Sequence, residues 1–338
     1  MSGMWFNPKV LADTLSETVG YKAGLALSIA QMCDHLSDTE YPDLILASEK
    51  QVVRVRPEKY EGLFYKLLYS VGYTDEEYDG DILGVRLFHK YKNKYKKEYE
   101  GVLKLFVEIW PQLLEETTKK GEKSIDPSPL LRACFETYGK IGLKIAIEKL
   151  ETINRGLHLS PHSSLRYRAW KNTETLDSLF SGGSTKPEQG EFIDQRFIDY
   201  LSKNFDRIEE IHWRKFEELT AEYFMRAGFQ VELGPGQNDD GVDVRIWRTD
   251  QNTEQTPHCI IQCKRQKQKV EKVVVKGLFA DIQFENANYG LIVTTSELSP
   301  GARKTIVVRG YPIEEVNKTA LTDWLAELRT PGSGIVRV

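Results

Sequence analysis

The sequence is poor in cysteine. Its 338 residues include four, Cys33, Cys134, Cys259 and Cys263, which is too few for a disulfide framework in a chain of this size. No two of them have the CxxC spacing that commonly holds zinc. We therefore exclude a disulfide-stabilised scaffold and the common structural zinc modules, and we expect reduced thiols with a structural role.

Long hydrophobic runs and an excess of one charge are also missing. No stretch reaches the roughly 18 apolar residues of a transmembrane helix, and the amino terminus has no basic start followed by an apolar run, so we expect no membrane association and no secretory signal. The composition, 40% hydrophobic and 28% charged, is typical of a globular chain. The net charge of −4 does not favour a protein that coats nucleic acid. We expect a cytoplasmic protein with two domains.

A change of composition divides the chain. Residues 181–190, SGGSTKPEQG, are small, polar or helix-breaking, which is typical of a linker. Before them, apolar residues recur at steps of three and four, as in Leu63, Leu67 and Leu68, which predicts helices. Residues 1–180 are therefore predicted to form an all-α domain, to which we assign sensing or recruitment.

The pattern of residues 191–338 is different. A helix is predicted from Trp213 to Ala227, and short apolar runs after it predict strands. These runs are Phe229–Leu233, Val242–Trp247, Cys259–Cys263 and Tyr289–Thr294. Further helices are expected at Val273–Glu285 and after Ser299 and Pro300, which suit a helix start. The alternation predicts an α/β domain with a mixed central sheet flanked by helices.

Four polar residues in this half suit metal-dependent chemistry: Glu217, Asp243, Gln262 and Lys264. Gln262 and Lys264 alternate on a strand, so their side chains share a face. If the strands pair, Asp243 lies beside them, and its carboxylate and the Gln262 amide are oxygen ligands suited to Mg²⁺ or Mn²⁺. A lysine beside such a cation can orient water and stabilise charge in phosphodiester hydrolysis. On spacing alone this signal is weak, and a salt bridge between Asp243 and Lys264 is the alternative.

The surrounding sequence makes the signal more specific. The segments FEEL (216–219), GF (228–229), GQNDDGVDV (236–244), IQCKR (261–265) and LIVTTS (291–296) occur in this order. Together they resemble the catalytic domain of Mrr-type restriction endonucleases, within the PD-(D/E)xK nuclease superfamily, over about residues 205–329. The resemblance implies a restriction-endonuclease-like fold and Mg²⁺-dependent DNA cleavage. It implies that Asp243 and Gln262 bind the metal, with Gln262 in the place of the usual acid, that Lys264 is the catalytic lysine, and that Glu217 is the catalytic helix glutamate.

The turn before Asp243 departs from the family pattern. Asn238-Asp239-Asp240-Gly241 stands where the family usually has Gly-Asp-x-Gly. Asp239 and Asp240 either share metal ligation or only shape the turn, and the second interpretation is favoured.

A cationic segment follows the candidate catalytic strand. From Lys264 to Lys276, six basic residues and one acid give a net charge of +5. Such a segment can bind phosphates without sequence preference and with strong salt dependence, whereas the alternative is a solvated helix start. The candidate DNA-binding residues are Arg265, Lys267, Lys269, Lys272 and Lys276.

Two clusters in the first half are assigned to structure. Tyr91, Tyr95 and Tyr99 lie on one helical face among lysines, which favours a core stripe over nucleic-acid contact. His158 and His162 have no third ligand of matching type nearby in the sequence, so ordinary hydrogen bonding in a loop is favoured over zinc.

The sequence therefore predicts a two-domain, Mg²⁺-dependent DNA endonuclease of bacterial defence against foreign or modified DNA, with Mn²⁺ as an alternative cation. A homodimer is expected if one active site per chain is to cut both strands. Two alternatives stay open: a nucleic-acid-binding module whose cleavage is lost or needs a partner, and a nuclease acting on RNA or branched DNA. A structural scaffold would require the Asp243, Gln262 and Lys264 pattern to be accidental.

Overall fold

The computed structural model describes most of the chain. The described residues are 3–77, 83–122, 124–183, 186–236, 241–250, 253 and 255–329, and for 83–86 only the backbone is described. Asp239 and Asp240, the two candidate turn residues, lie outside the described residues.

The helices and strands have the following bounds. The helices are α1 (Val10–Ala23), α2 (Ile29–His35), α3 (Tyr41–Ser48), α4 (Pro57–Ser70), α5 (Leu83–Tyr91), α6 (Lys96–Lys120), α7 (Ser128–Leu159), α8 (Ser178–Ser181), α9 (Gln195–Lys203), α10 (Trp213–Arg226), α11 (Lys272–Glu285), α12 (Pro300–Arg309) and α13 (Lys318–Arg329). The strands are β1 (Met4–Phe6), β2 (Leu25–Ala26), β3 (Val53–Val55), β4 (Glu174–Thr175), β5 (Gln230–Leu233), β6 (Val244–Trp247), β7 (Cys259–Lys264), β8 (Tyr289–Thr294) and β9 (Ile313–Val316). Within the described ranges, no helix is long and apolar enough to cross a membrane.

The main sheet is mixed, as predicted. In the described part of the chain it has five strands in the order β5-β6-β7-β8-β9. The pairs β5–β6 and β6–β7 are antiparallel, whereas β7–β8 and β8–β9 are parallel. Val244 lies opposite Ile261, so the start of β6 is next to the middle of β7, and Asp243, which precedes β6, lies level with the second half of β7. The edge strand β9 was not among the predicted strands.

Helices flank this sheet, which confirms the predicted α/β architecture of the carboxy-terminal half. Ile260 and Ile292 of the sheet share a buried core with Leu278 and Ile282 of α11. Helix α10 packs against β5, β6 and β7. Because side chains alternate along a strand, Ile260 lies on the same face of β7 as Gln262 and Lys264, so these two candidate residues continue the face that packs against α11.

The chain forms two compact units, whose boundary differs from the predicted one. The larger unit comprises 1–57, 66–76 and 168–338, and the smaller comprises 58–65 and 77–167. The predicted linker, 181–190, therefore lies inside the larger unit.

Specific hydrogen bonds explain why this segment belongs to the larger unit. The Glu188 carboxylate accepts the backbone N–H groups of Lys171 and Asn172. The buried Arg196 side chain donates to the Gly24 and Asn172 carbonyl groups. Glu188 of this segment, and Arg196 shortly after it, thus have defined partners in the larger unit, although the composition of the segment is that of a linker.

Residues 1–180 are mainly helical, but they are not all-α as predicted. Strand β1 pairs with β3 in antiparallel orientation, and β2 pairs with β4 in parallel orientation. These strands have two or three residues each, too few for a recognisable alternation of polar and apolar side chains.

The smaller unit confirms that the tyrosines are core residues, but they do not lie on one helix: Tyr91 ends α5, Tyr95 directly precedes α6 and Tyr99 lies within α6. Tyr91 and Tyr99 are buried in its core, and Tyr95 packs against them. The Tyr91 hydroxyl donates to Glu148, 2.9 Å away. His158 lies in the last turn of α7 and not in the predicted loop; its Nδ1 is 2.8 Å from the Asn154 carbonyl oxygen, and its ring stacks on Tyr167.

Candidate active site

Asp243 is held at the start of β6 by its backbone. Its N–H donates to the Ile261 carbonyl (2.9 Å), and its carbonyl accepts from the Gly234 N–H (2.8 Å). The side chain is only 8% exposed, and its Oδ2 accepts a hydrogen bond from the Cys263 backbone N–H at 2.6 Å. The carboxylate therefore lies against the end of β7.

Gln262 occupies β7 between two core-facing neighbours. Its Nε2 donates to the Gly241 carbonyl at 3.0 Å, which ties β7 to the turn before Asp243. Its Oε1 is buried and has no hydrogen-bond partner among the described residues. A buried acceptor without a donor costs about 1–3 kcal/mol, so an oxygen in this position is suited to a ligand that the protein itself does not supply.

Glu217 reaches the same place from α10. The helix starts after His212, whose Nδ1 accepts the Arg214 N–H. One turn later Glu217 is buried, 6% exposed, and its Oε2 accepts from the Arg214 guanidinium at 2.9 Å. Burial and then the charge of Asp243 raise the pKa of Glu217 to about 7, against the opposing effect of Arg214. Glu217 and Asp243 are thus adjacent carboxyl groups that interact directly.

Lys264 ends β7. Its carbonyl accepts from the Thr294 hydroxyl at 2.8 Å, and its side chain alternates with that of Gln262 along the strand. The neighbouring Cys263 lies on the other side, with its Sγ 3.5 Å from the Thr220 hydroxyl of α10. In the described residues, the Lys264 ammonium has no ion-pair partner.

The structure therefore brings together the four candidate residues of the sequence. Asp243 contacts the backbone between Gln262 and Lys264, and Glu217 interacts with Asp243. Their catalytic roles remain predictions. The alternative interpretation, a salt bridge between Asp243 and Lys264, is not supported, because no such ion pair occurs among the described residues.

These residues fit a divalent cation. Two adjacent buried carboxyl groups repel each other unless a proton or a cation lies between them, and the orphaned Gln262 oxygen supplies a further hard donor. No group of three or more His, Cys, Asp and Glu suited to a metal occurs in the described ranges; the third donor of the candidate site is an amide. The chemistry of the donor set suits Mg²⁺ or Mn²⁺.

The predicted DNA-binding residues differ in what they contact. Lys267, Lys272 and Lys276 are exposed. Lys269 is exposed too, but it forms an ion pair with Glu297 at 2.7 Å.

Arg265 is less available than the lysines of this segment. Its Nη1 donates to the Glu209 carbonyl at 2.7 Å, and the residue is half-buried. The structure thus gives the Arg265 guanidinium a contact within the protein, which anchors the chain just after Lys264.

Sequence reasoning gave no role to Arg214 or to Thr295, the residue that directly follows β8. Arg214 precedes Glu217 by three residues, a helical spacing that places two side chains side by side and could have revealed it. Thr295 exchanges hydrogen bonds with the backbone of Gln266, so it fixes the chain that leaves β7. The segment LIVTTS thus contributes to the site by holding the chain that follows Lys264 in place.

Comparisons with known proteins concern mainly the carboxy-terminal half of the chain. Residues 208–325 match the model of the Mrr catalytic domain family, a restriction endonuclease, within the range that the sequence resemblance predicted. The uncharacterized protein y4cE of Sinorhizobium fredii (strain NBRC 101917 / NGR234) is 32% identical over 95 residues, which are 28% of this chain. The matched segment spans 24% of the length of that protein.

One solved structure is also similar. It is the MspJI restriction endonuclease in complex with a 27-mer oligonucleotide, which has 19% sequence identity and a TM-score of 0.26. The match covers 56% of this chain and 40% of that chain.

Proposed function

We propose, from the premise that residues 208–325 are a restriction endonuclease domain of the Mrr type, that the chain is a divalent-metal-dependent DNA endonuclease. The observation that carries the proposal is the meeting of Glu217, Asp243 and the orphaned Gln262 oxygen at the end of β7. A structural scaffold has no use for two adjacent buried acids beside an unsatisfied acceptor, because each of these features costs folding free energy.

Asp243 and Gln262 would hold the cation, with Glu217 next to them. A bound Mg²⁺ or Mn²⁺ would stabilise charge on the scissile phosphate and make a bound water more acidic. The raised pKa of Glu217, about 7, lets this residue hold or accept a proton near neutral pH. The Lys264 ammonium offers a donor to the attacking water or to the phosphoryl oxygen.

DNA would be bound beside this site by the lysines that follow β7. Lys267, Lys272 and Lys276 are exposed, and exposed cations bind phosphates without reading base sequence. Because the net charge of the chain is −4, the electrostatic attraction of DNA would be confined to these lysines. We infer that the physiological substrate is foreign or modified DNA in the bacterial cytoplasm and that the role is defence.

Cleavage of both strands would need two copies of the chain, or a second binding event. One chain provides one such site among its described residues. A symmetric dimer presents two identical sites related by a two-fold axis, which matches the pseudo-symmetry of the two strands of a duplex.

The test is cleavage of supercoiled plasmid by the purified full chain. With Mg²⁺ or Mn²⁺ we expect nicked and linear products, and with EDTA no products. Paired modified and unmodified DNA, RNA and branched DNA substrates identify the preferred class. DNA binding with steep salt dependence but no cleavage under either metal would contradict the proposal and support a binding module, whereas cleavage confined to RNA or branched DNA would contradict the assigned substrate.

A further inference from the structure

Arg214 uses little of its hydrogen-bonding capacity. A guanidinium group carries five N–H donors in a rigid fork. The Arg214 Nη1 donates to Glu217 Oε2 at 2.9 Å, whereas Nε and Nη2 donate to no atom of the residues that the structure describes. The Arg214 side chain is 26% exposed, against 8% for that of Glu217. Arg214 therefore extends from a buried carboxylate towards solvent with most of its donors open.

Arginines with a structural role in the same unit are satisfied more fully. Arg226, on the same helix, donates through all three of its nitrogen atoms, to Glu222 and to two backbone carbonyl groups. Arg245 binds Glu285 through Nε and Nη2, the bidentate geometry in which a guanidinium holds a carboxylate most firmly. An arginine that only held a carboxylate would be expected to use this geometry. The single hydrogen bond from the Arg214 side chain thus leaves its remaining donors for another acceptor.

Arg214 lies beside the candidate active site. Glu217, which it contacts, interacts in turn with Asp243. A Cβ atom built on Gly236 would lie 3.0 Å from the Arg214 Nη1, so the guanidinium is also next to the turn that leads to Asp243. The open donors are therefore one side chain away from the carboxylate that would hold the cation.

We infer that Arg214 is a substrate-binding residue of this site, whose open N–H groups bind a phosphate group of the DNA strand to be cut. The inference rests on the proposed function and adds to it a contact with the substrate. The planar fork of a guanidinium matches two oxygens of a phosphate. Glu217 and Asp243 carry up to two negative charges, which a divalent cation would balance, so the charge of Arg214 is left for the phosphate.

The test is fluorescence anisotropy of a labelled DNA duplex titrated with the full chain in EDTA at several salt concentrations. Arg214→Gln is compared in the wild type and in Glu217→Gln, because Glu217→Gln removes the carboxylate that competes for the guanidinium. In the Glu217→Gln background, Arg214→Gln should lower the DNA affinity about tenfold. The slope of log affinity against log salt should fall by about 0.9, the value for one lost phosphate contact. If Arg214 only neutralised Glu217, its loss would have no effect in this background, and that result would overturn the inference.

Two further variants separate a phosphate contact from a general loss of charge or of folding. Arg309→Gln removes one positive charge from an exposed arginine of α12 and should leave the DNA affinity and the salt slope close to their starting values. Arg214→Lys keeps the charge but not the fork, so it should retain the salt slope and recover part of the affinity. Equal losses in Arg309→Gln and Arg214→Gln would overturn the inference.

The outcomes for this contact and for the proposed function are distinct. A chain whose DNA affinity depends on Arg214 as described, but which cleaves no nucleic acid with either metal, would leave the phosphate contact intact and contradict the nuclease activity alone. A chain that cleaves DNA, but whose affinity and salt slope are unchanged by Arg214→Gln in the Glu217→Gln background, would contradict the Arg214 contact alone.

Discussion

The carboxylate of Asp243 accepts a hydrogen bond from the backbone N–H of Cys263, with 2.6 Å between Oδ2 and N. Cys263 lies between Gln262 and Lys264, so this bond sets Asp243 beside both of them. A hydrogen bond to an ionised carboxylate is shorter and stronger than one between neutral groups. The position of Asp243 is thus fixed by the backbone of β7, and each side chain around it can be tested separately.

Gln262→Leu should weaken metal binding, because it removes the buried oxygen that has no partner in the protein. We expect the affinity for Mn²⁺, measured by titration calorimetry, to fall at least about 10-fold. Gln262→Glu is the matched variant, since it keeps an oxygen there and adds negative charge, and it should bind Mn²⁺ at least as well as the wild type. Equal affinities of the wild type and Gln262→Leu would contradict the assignment of this oxygen.

The stability of the metal-free protein should depend on pH through Glu217. Its pKa is about 7 when folded and 4.5 ordinarily, so the folded state binds this proton more tightly. The contribution of Glu217 to stability is therefore fully present below about pH 4.5 and is lost as the pH rises through about 7. In Glu217→Gln, the change in the free energy of unfolding between about pH 4.5 and 7 should be smaller by about 1 to 3 kcal/mol. Chemical denaturation in EDTA at both pH values measures this.

Glu115→Gln provides the control for that experiment. Glu115 is an exposed residue of α6 in an ion pair with Lys119, and such pairs contribute little to stability. This variant should retain the pH dependence of the wild type. A Glu217→Gln protein with an unchanged dependence between pH 4.5 and 7 would show that another group titrates in this window.

Lys264→Gln should abolish catalysis without preventing ligand binding. We expect the cleavage rate to fall by about 10² to 10³, the usual loss when one group that stabilises developing charge is removed. Mn²⁺ affinity and DNA affinity should stay close to those of the wild type. Lys304→Gln, at an exposed lysine of α12 that has no role in the proposed site, should retain the cleavage rate. Cleavage by Lys264→Gln at the rate of this control would refute the catalytic assignment.

The lysines beside the site should differ in their effect on the salt dependence of DNA binding. Each phosphate contact that is lost reduces the slope of log affinity against log salt by about 0.9. Lys267→Ala should show this full reduction in fluorescence anisotropy titrations. Lys269→Ala should show less, because Lys269 is paired with Glu297. Equal slopes for both variants and the wild type would move the DNA-binding surface elsewhere.

The sheet and the site could be predicted because their signals are local in the sequence. Gln262 and Lys264 are two residues apart on an apolar run, and their shared face follows from strand geometry alone. The edge strand β9 could not be recognised in this way, since Ile313–Val316 has two glutamates in its centre and strand pairing decides its structure.

The organisation of the first half could not be predicted, because its contacts join residues that are far apart in the sequence. Arg196 donates to the Gly24 carbonyl, 172 residues away. This arginine and Asp194 form a buried ion pair at 2.6 Å. Composition and periodicity carry no signal for such a pair, so they predict a linker for the small and polar segment at 181–190.

The central claim is that Asp243 belongs to a metal-dependent nuclease site, and plasmid cleavage by Asp243→Asn in Mg²⁺ tests it most directly. The control is Asp323→Asn, at an exposed aspartate of α13. We expect the wild type and the control to convert supercoiled plasmid to nicked and linear forms, while Asp243→Asn leaves it intact yet folds and binds DNA. Cleavage by Asp243→Asn at the rate of the control would contradict the claim.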